Sequence, residues 1–170
     1  MSKMRSLTKI KSSILYAMIT IVIIIVRLLR PFILIRFGRI TSYIFGHLVF
    51  DTEYYLSEKK LENQKTLDFF YYYYKYDSHK QPTNEQWYQM VRRHLRIHPF
   101  VAHFYRVNKI IPGGQDHLVK MNVETFLSRD LNGVLRSCET QIQFTDEENE
   151  QGRLFLKGIG IRPGEKFICL

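Results

Sequence analysis

The sequence predicts an α/β fold, a layered domain with a mainly parallel sheet, preceded by an N-terminal hydrophobic helix. Short β-type runs alternate with helical segments over residues 31–170, and such alternation is typical of parallel sheets covered by helices. Residues 1–30 differ, because an uncharged apolar run lies there between basic residues. We therefore divide the chain into an N-terminal membrane anchor, 1–30, and an α/β domain, 31–170.

Three apolar runs predict strands. The run from Phe32 to Phe37 is rich in Ile and Phe, and Pro31 and Gly38 delimit it. Leu67–Tyr76 is aromatic nearly throughout, which favours a strand. The third run, Lys166–Leu170, ends the sequence without a turn, so we expect the domain to be truncated at its C-terminus.

Four segments predict helices: 47–60, 87–98, 100–110 and 146–160. Thr83 and Gln86 form a predicted capping box before the second helix, and Thr145 and Glu148 form one before the fourth. The apolar positions of the fourth helix are expected to face the core; they are Leu154, Phe155 and Ile159.

The net charge of +9 is concentrated at the N-terminus. Eight basic residues and no acidic residue precede position 40, whereas the rest of the chain has 17 basic and 16 acidic residues. A nucleic-acid-binding protein usually spreads its basic residues over a folded face, so this pattern favours a membrane surface with anionic lipids, and we expect no nucleic-acid partner.

The uncharged run from Ile14 to Val26 has 13 residues. As a helix it would reach about 20 Å, less than the roughly 30 Å of a bilayer core, so both a tilted span and a helix lying in the membrane plane stay open. A cleaved signal peptide is an alternative, but arginines stand where a small-residue cleavage site would be expected. A buried helix is the remaining alternative.

Gly46 and His47 lie between the first predicted strand and the helix after it, where α/β sheets usually bind ligands. A glycine permits close backbone approach, and a neutral imidazole can accept a proton from a hydroxyl group. The alternative interpretation is a helix-capping glycine followed by a histidine of no chemical role.

Other motifs carry weaker signals. His94 and His98 are four residues apart on a predicted helix, but no third ligand follows, so a polar surface is the preferred interpretation. Tyr71–Tyr74 could stack on a base or a sugar, yet at most two of them share a face of a strand, which favours core packing. The cysteines, Cys138 and Cys169, are too far apart in sequence for a zinc knuckle and suggest a reducing compartment.

Four segments resemble bacterial glycosyltransferases associated with surface-polysaccharide synthesis: 30–60, 84–100, 110–117 and 144–170. The resemblance implies a Rossmann-like domain, the first half of a two-domain GT-B enzyme, that transfers a sugar from a nucleotide donor to a glycan or lipid-linked acceptor. The donor-binding half would be missing, so we expect this chain to be inactive alone. With a retained N-terminal anchor, we expect the folded domain to lie on the cytoplasmic face of the bacterial inner membrane.

On this resemblance His47 is the expected catalytic base, Gly46 shapes the backbone beside it, and Arg36 or Arg39 neutralises phosphate charge. Ile44 stands where the family typically has arginine, so one basic contact is missing. No acidic DxD pair occurs, and we expect neither a metal nor another cofactor. The alternative is a membrane-anchored binding or assembly protein without catalysis.

Overall fold

The computed structural model describes residues 2–74, 82–121, 130–162 and 164–166 of the chain. A parallel sheet lies at its centre, with strands β1 (Leu34–Thr41), β2 (Thr66–Tyr73) and β3 (Arg96–Ile97) in that order. This confirms the α/β class with a parallel sheet. The predicted third run lies almost wholly outside the described residues, as does the end of the predicted second strand.

Strand β1 begins and ends later than predicted. It continues through Gly38 to Thr41, because the whole run pairs with β2 as far as Thr41 and Tyr73. Gly38 fits this position because a Cβ atom there would collide with the ring of Phe70, its partner on β2. The ring of Phe70 is completely buried.

The chain then returns to the other side of β1. Leu118 bridges Phe37 in parallel, and the Val119 amide donates to the Phe37 carbonyl oxygen at 3.0 Å. The segment at Leu118 therefore lies beside β1 opposite to β2. Strand β1 is thus central, and the path of the chain across the sheet reverses beside it.

Helices cover both faces of the sheet. On one face, α2 (Phe45–Leu61) and α3 (Glu85–His94) pack over a core that includes Ile40 and Phe70. On the other face, α4 (Val101–Ile110) packs over Phe37 and Tyr71. A short 3₁₀ turn, Gln115–His117, follows α4.

Helix α3 differs from its prediction at both ends. Its N-cap is Asn84, whose side chain accepts from the Trp87 amide at 2.7 Å, so the predicted capping box at Thr83 is wrong. The helix stops at His94, because Arg96 and Ile97 pair with β2 as strand β3. The premise that His94 and His98 share one helix therefore does not hold.

The last described helix, α5 (Asp146–Gly158), has the predicted capping box of Thr145 and Glu148. Its predicted core contacts are wrong, because Leu154, Phe155 and Ile159 are all exposed. Glu148 holds the start of the helix to Arg93 through two bonds of 2.8 and 2.9 Å, whereas the apolar side stays uncovered by the described residues.

A helix, α1 (Ser2–Leu28), precedes the sheet and packs along α4. Arg27 fixes its end, donating to the Pro112 carbonyl oxygen at 2.8 Å and to Asn108 Oδ1 at 3.2 Å. Gly114 makes room for this contact, since a Cβ there would lie 2.7 Å from Arg27 Nη2 and would also collide with the Asn108 carbonyl group.

Within the described residues, no helix combines the length and the apolar character needed to cross a bilayer.

Candidate functional site

The connection that follows β1 is held at the carboxyl edge of the sheet. Thr41 pairs with Tyr73, so β1 and β2 end together. Ser42 is fully buried, and its amide and hydroxyl both donate to the Tyr73 carbonyl oxygen, at 3.2 and 2.9 Å. Its own carbonyl oxygen accepts from the amide and hydroxyl of Thr83. The backbone leading to α2 is thus fixed from both sides.

Helix α2 begins with its amide groups uncapped by a side chain. Its N-cap, Ile44, has no side chain able to accept a hydrogen bond, and the first turn has no acidic residue. The first N–H groups of a helix lack intrahelical partners and favour an anion. Gly46 is the second helical residue rather than a capping glycine, and a Cβ there would meet nothing within 4 Å. An anionic ligand can therefore approach this turn closely.

His47, one residue further, faces a buried carboxylate. Its Nδ1 atom lies 3.3 Å from Asp51 Oδ2, one helical turn along α2. The Asp51 side chain is 2% exposed, and the His47 side chain is 27% exposed. The arrangement does not meet hydrogen-bond geometry, and neither oxygen of Asp51 receives a hydrogen bond from the described residues. The two groups form an ion pair only when the imidazole is protonated.

Asp51 is an unusual acid as a result. Burial raises its pKa to about 6, because the carboxylate has lost its water; the nearby imidazole of His47 acts in the opposite direction. A carboxylate that lacks hydrogen bonds in a folded protein calls for a reason, and a role at a ligand site is one.

Arg36 lies at the opposite, amino edge of the sheet. Its guanidinium donates to both oxygens of Asp68, from Nε at 2.8 Å and from Nη2 at 3.1 Å. Tyr55, Lys59 and Thr66 also donate to Asp68. Burial alone would raise the pKa of Asp68, but these hydrogen bonds outweigh it and lower the pKa below its usual range.

The structure does not bring Arg36 together with His47. Five strand residues separate Arg36 from the end of β1, which corresponds to about 16 Å. Arg36 instead lines a cleft of about 270 Å³ between the end of α2 and the 3₁₀ turn. Its charge is already balanced by the buried carboxylate of Asp68.

Arg39 is nearer to the carboxyl edge. Its guanidinium carbon lies 4.9 Å from the ring centroid of Tyr73, and Tyr73 in turn meets the ring of Tyr43 edge to face at 5.9 Å. Arg39 alternates with Ile40 along β1 and therefore lies on the α4 side of the sheet, whereas α2 covers the other side. Its geometry places it at the same edge as His47 but on the other face.

Tyr71–Tyr74 divide between the two faces, as the strand period predicts. Tyr71 meets Tyr105 of α4 with ring centroids 5.6 Å apart, whereas Tyr72 stacks on Tyr88 of α3 at 4.5 Å. Together they line a cleft of about 640 Å³. It lies along the part of β2 that continues past the two residues paired with the short strand β3. Tyr71 is in the core and the other three are half-buried, so packing accounts for most of their surface.

The sequence analysis selected His47 as a candidate but not Asp51, the carboxylate beside it. The signal was a four-residue spacing of polar side chains along α2, formed by His47, Asp51, Tyr55 and Lys59. Residues at this spacing share one helix face. Here that face is turned to the sheet and runs from its carboxyl edge to its amino edge. His47 and Asp51 lie at the carboxyl edge, whereas Lys59 contacts Asp68 at the amino edge.

Comparison with known protein families, with curated proteins and with solved structures finds no match to this chain. An imidazole with a buried carboxylate behind it and uncapped amide groups beside it can accept a proton from a hydroxyl group and hold an anion.

Proposed function

We propose that this chain is the Rossmann-like, acceptor-side half of a bacterial glycosyltransferase that works at the cytoplasmic surface of the inner membrane. The observation that carries this proposal is the His47–Asp51 pair, 3.3 Å apart at the carboxyl end of the central strand. Ligands of open α/β sheets bind where the path of the chain reverses beside a strand, and β1 is that strand. The resemblance of four segments to such enzymes supplies the reaction class.

His47 is the proposed general base. Its Nδ1 atom faces Asp51, which leaves Nε2 to accept the proton of an acceptor hydroxyl. The hydroxyl oxygen then attacks the anomeric carbon of the donor sugar, and the bond to the nucleoside diphosphate breaks with its electron pair on the diphosphate. Contacts of this kind are often long in the absence of substrate and tighten in the reacting complex. Asp51 would stabilise the imidazolium that forms, as buried carboxylates do in other catalytic pairs.

The first turn of α2 has a separate role in this proposal. Its uncapped amides, beside the open Gly46, would contact an anionic group of donor or acceptor. Arg39 reaches the same edge from the other face and is the arginine better placed to add positive charge there. Arg36 has no part in this site, because Asp68 holds it at the other edge.

The test uses the chain together with whatever sequence is encoded after codon 170. Transfer would be followed as release of nucleoside diphosphate from a panel of nucleotide sugars, with glycan and lipid-linked acceptors. We expect His47→Ala to lower kcat by a factor of about 10² or more, the usual contribution of a general base. His94→Ala, at an exposed histidine of α3, is the matched control and should leave kcat unchanged.

Two outcomes would contradict the proposal. Unchanged turnover in His47→Ala would remove the assigned base. Sugar transfer by the 170-residue chain alone would show that no second half is needed. Ligand binding without turnover, both in the 170-residue chain and in the chain extended past codon 170, would instead favour a binding or assembly protein.

A further inference from the structure

One face of α1 stays exposed although it is made of large apolar side chains. It recurs every three or four residues and consists of Ile14, Met18, Ile21, Ile25 and Leu28. Met18 is 61% exposed, Ile21 60% and Leu28 71%. We call these five residues the free face of α1. Contiguous apolar patches of this kind mark contact sites on soluble domains.

The opposite face of α1 packs against α4 between Ile19 and Arg27. Ile19 and Ile23 are buried against Val107 of α4, and Arg27 is bonded to the carbonyl groups at the end of that helix. The α/β domain therefore lies along α1 and covers one side of it. Among the described side chains of α1, those of the free face are left open to another phase or partner.

The breadth of the free face favours lipid over a second helix. A coiled-coil seam is narrow and is flanked by charged positions. Here the flanking positions are Val22 and Ile24, which are apolar and 42% and 51% exposed. The apolar surface continues past the helix to Phe32, which is 88% exposed. A broad apolar face of this type suits the boundary between headgroups and acyl chains.

The charge pattern specifies the lipid. No acidic residue precedes Asp51, while Lys3, Arg5, Lys9 and Lys11 precede the apolar run. The arginines after the run are engaged elsewhere: Arg27 with α4, Arg30 with Asp116 at 2.8 Å, and Arg36 with Asp68. Attraction to anionic headgroups therefore rests on the basic residues at the start of α1.

We propose that α1 lies in the plane of an anionic membrane, with its free face inserted below the headgroups and its basic N-terminal residues against them. The helix then anchors the α/β domain to one leaflet of the membrane and does not span the bilayer. This inference stands on α1 alone and does not depend on sugar transfer, so either can fail without the other.

The test is co-sedimentation of the full 170-residue chain with phosphatidylglycerol–phosphatidylcholine vesicles and with pure phosphatidylcholine vesicles. We expect binding to the anionic vesicles that weakens as salt is raised. The double variant Ile21→Asp and Ile25→Asp should lower the partition coefficient by at least about tenfold, since two large apolar side chains lose their burial in lipid. The control is Leu154→Asp with Phe155→Asp on α5, exposed residues far along the chain.

Folding of each variant is checked by circular dichroism, and a milder pair, Ile21→Ser and Ile25→Ser, replaces any that fails. Equal binding of the free-face variant and the α5 variant would overturn the proposal. Retention on the vesicles through alkaline carbonate extraction would overturn the in-plane geometry in favour of a span. A dimer in sedimentation equilibrium that the free-face variant breaks, with no vesicle binding, would show that a second copy covers the face.

Discussion

Asp68 of β2 and Asp51 of α2 are both almost completely buried, yet their surroundings differ. Asp68, at the amino edge of the sheet, accepts hydrogen bonds from Arg36, Lys59, Tyr55 and Thr66. Asp51, nearer the carboxyl edge, has only the imidazole of His47 within 4 Å as a charged partner and accepts no hydrogen bond from the described residues. The last turns of α2 thus contact a satisfied carboxylate, Asp68 of β2, whereas the unsatisfied carboxylate, Asp51, belongs to α2 itself and lies nearer its start.

The difference in hydrogen bonding between the two carboxylates suggests different roles, one in stability and one in chemistry. A buried ion pair with all its hydrogen bonds holds strands and helix in register, and its loss is costly. A buried carboxylate without such bonds costs folding free energy, and such costs persist at sites with a chemical role. We therefore interpret the amino edge as structural and propose the carboxyl edge as the ligand site.

The largest expected effect is at Asp68. Asp68→Asn should lower the free energy of unfolding at pH 7 by about 3–5 kcal/mol, because Arg36 and Lys59 then lose their buried counter-charge. Urea unfolding measures it. Glu150→Ala, which removes the exposed ion pair with Arg153, is the control and should change stability by less than about 1 kcal/mol. An equally small effect at Asp68 would remove the contrast between the two edges.

The pH dependence of the same variant sharpens this result. The pKa of Asp68 is lower in the folded protein than in the unfolded chain, so its contribution is complete at neutral pH. It is lost only as the pH falls through the lowered pKa. The difference between Asp68→Asn and the unmodified chain should therefore be constant at neutral pH and shrink in strong acid.

Asp51→Asn should act in the opposite direction. The pKa of Asp51 is about 6 in the folded protein, above its value in the unfolded chain, so the charged form opposes folding. Near pH 4 the substitution should change little, and by pH 8 it should stabilise the protein by about 2 kcal/mol. Urea unfolding across this range measures the trend. Destabilisation at pH 8 would mean that the carboxylate has partners of its own.

The smallest effect is expected at Gly46. Gly46→Ala meets no atom within 4 Å and removes a glycine from a helix, so stability should rise by up to about 1 kcal/mol. In the transfer assay the added methyl group should obstruct the ligand and lower turnover. Gly152→Ala, another helical glycine with open space around it, is the matched control and should leave turnover unchanged. Unchanged turnover in Gly46→Ala would place the ligand elsewhere.

The elements of the fold were largely predictable, because their signals are local. The β-type runs located β1 and β2, and capping residues located α5. Strand β3 was missed because two residues carry no period of their own and join the sheet only through β2. The predicted core positions of α5 were wrong, because an apolar stripe on a helix indicates a contact surface but does not identify what covers it.

The candidate site was predictable in part. His47 follows from its place after β1, whereas Arg36 was assigned by type and lies at the other edge because it pairs with Asp68, 32 residues away. Such a pairing depends on strand register, which the sequence does not display. Asp51 was within reach, since the four-residue spacing along α2 is visible in the sequence.

The carboxyl ¹³C resonance of Asp51, followed by NMR as the pH is varied, tests the central contrast most directly. We expect this carboxyl group to titrate with a pKa near 6, while Asp68 titrates below its usual range. Titration of Asp51 at or below about 4, the ordinary value for aspartate, would show that its carboxylate is satisfied. The carboxyl edge would then lose its distinction from the amino edge, and His47 its buried partner.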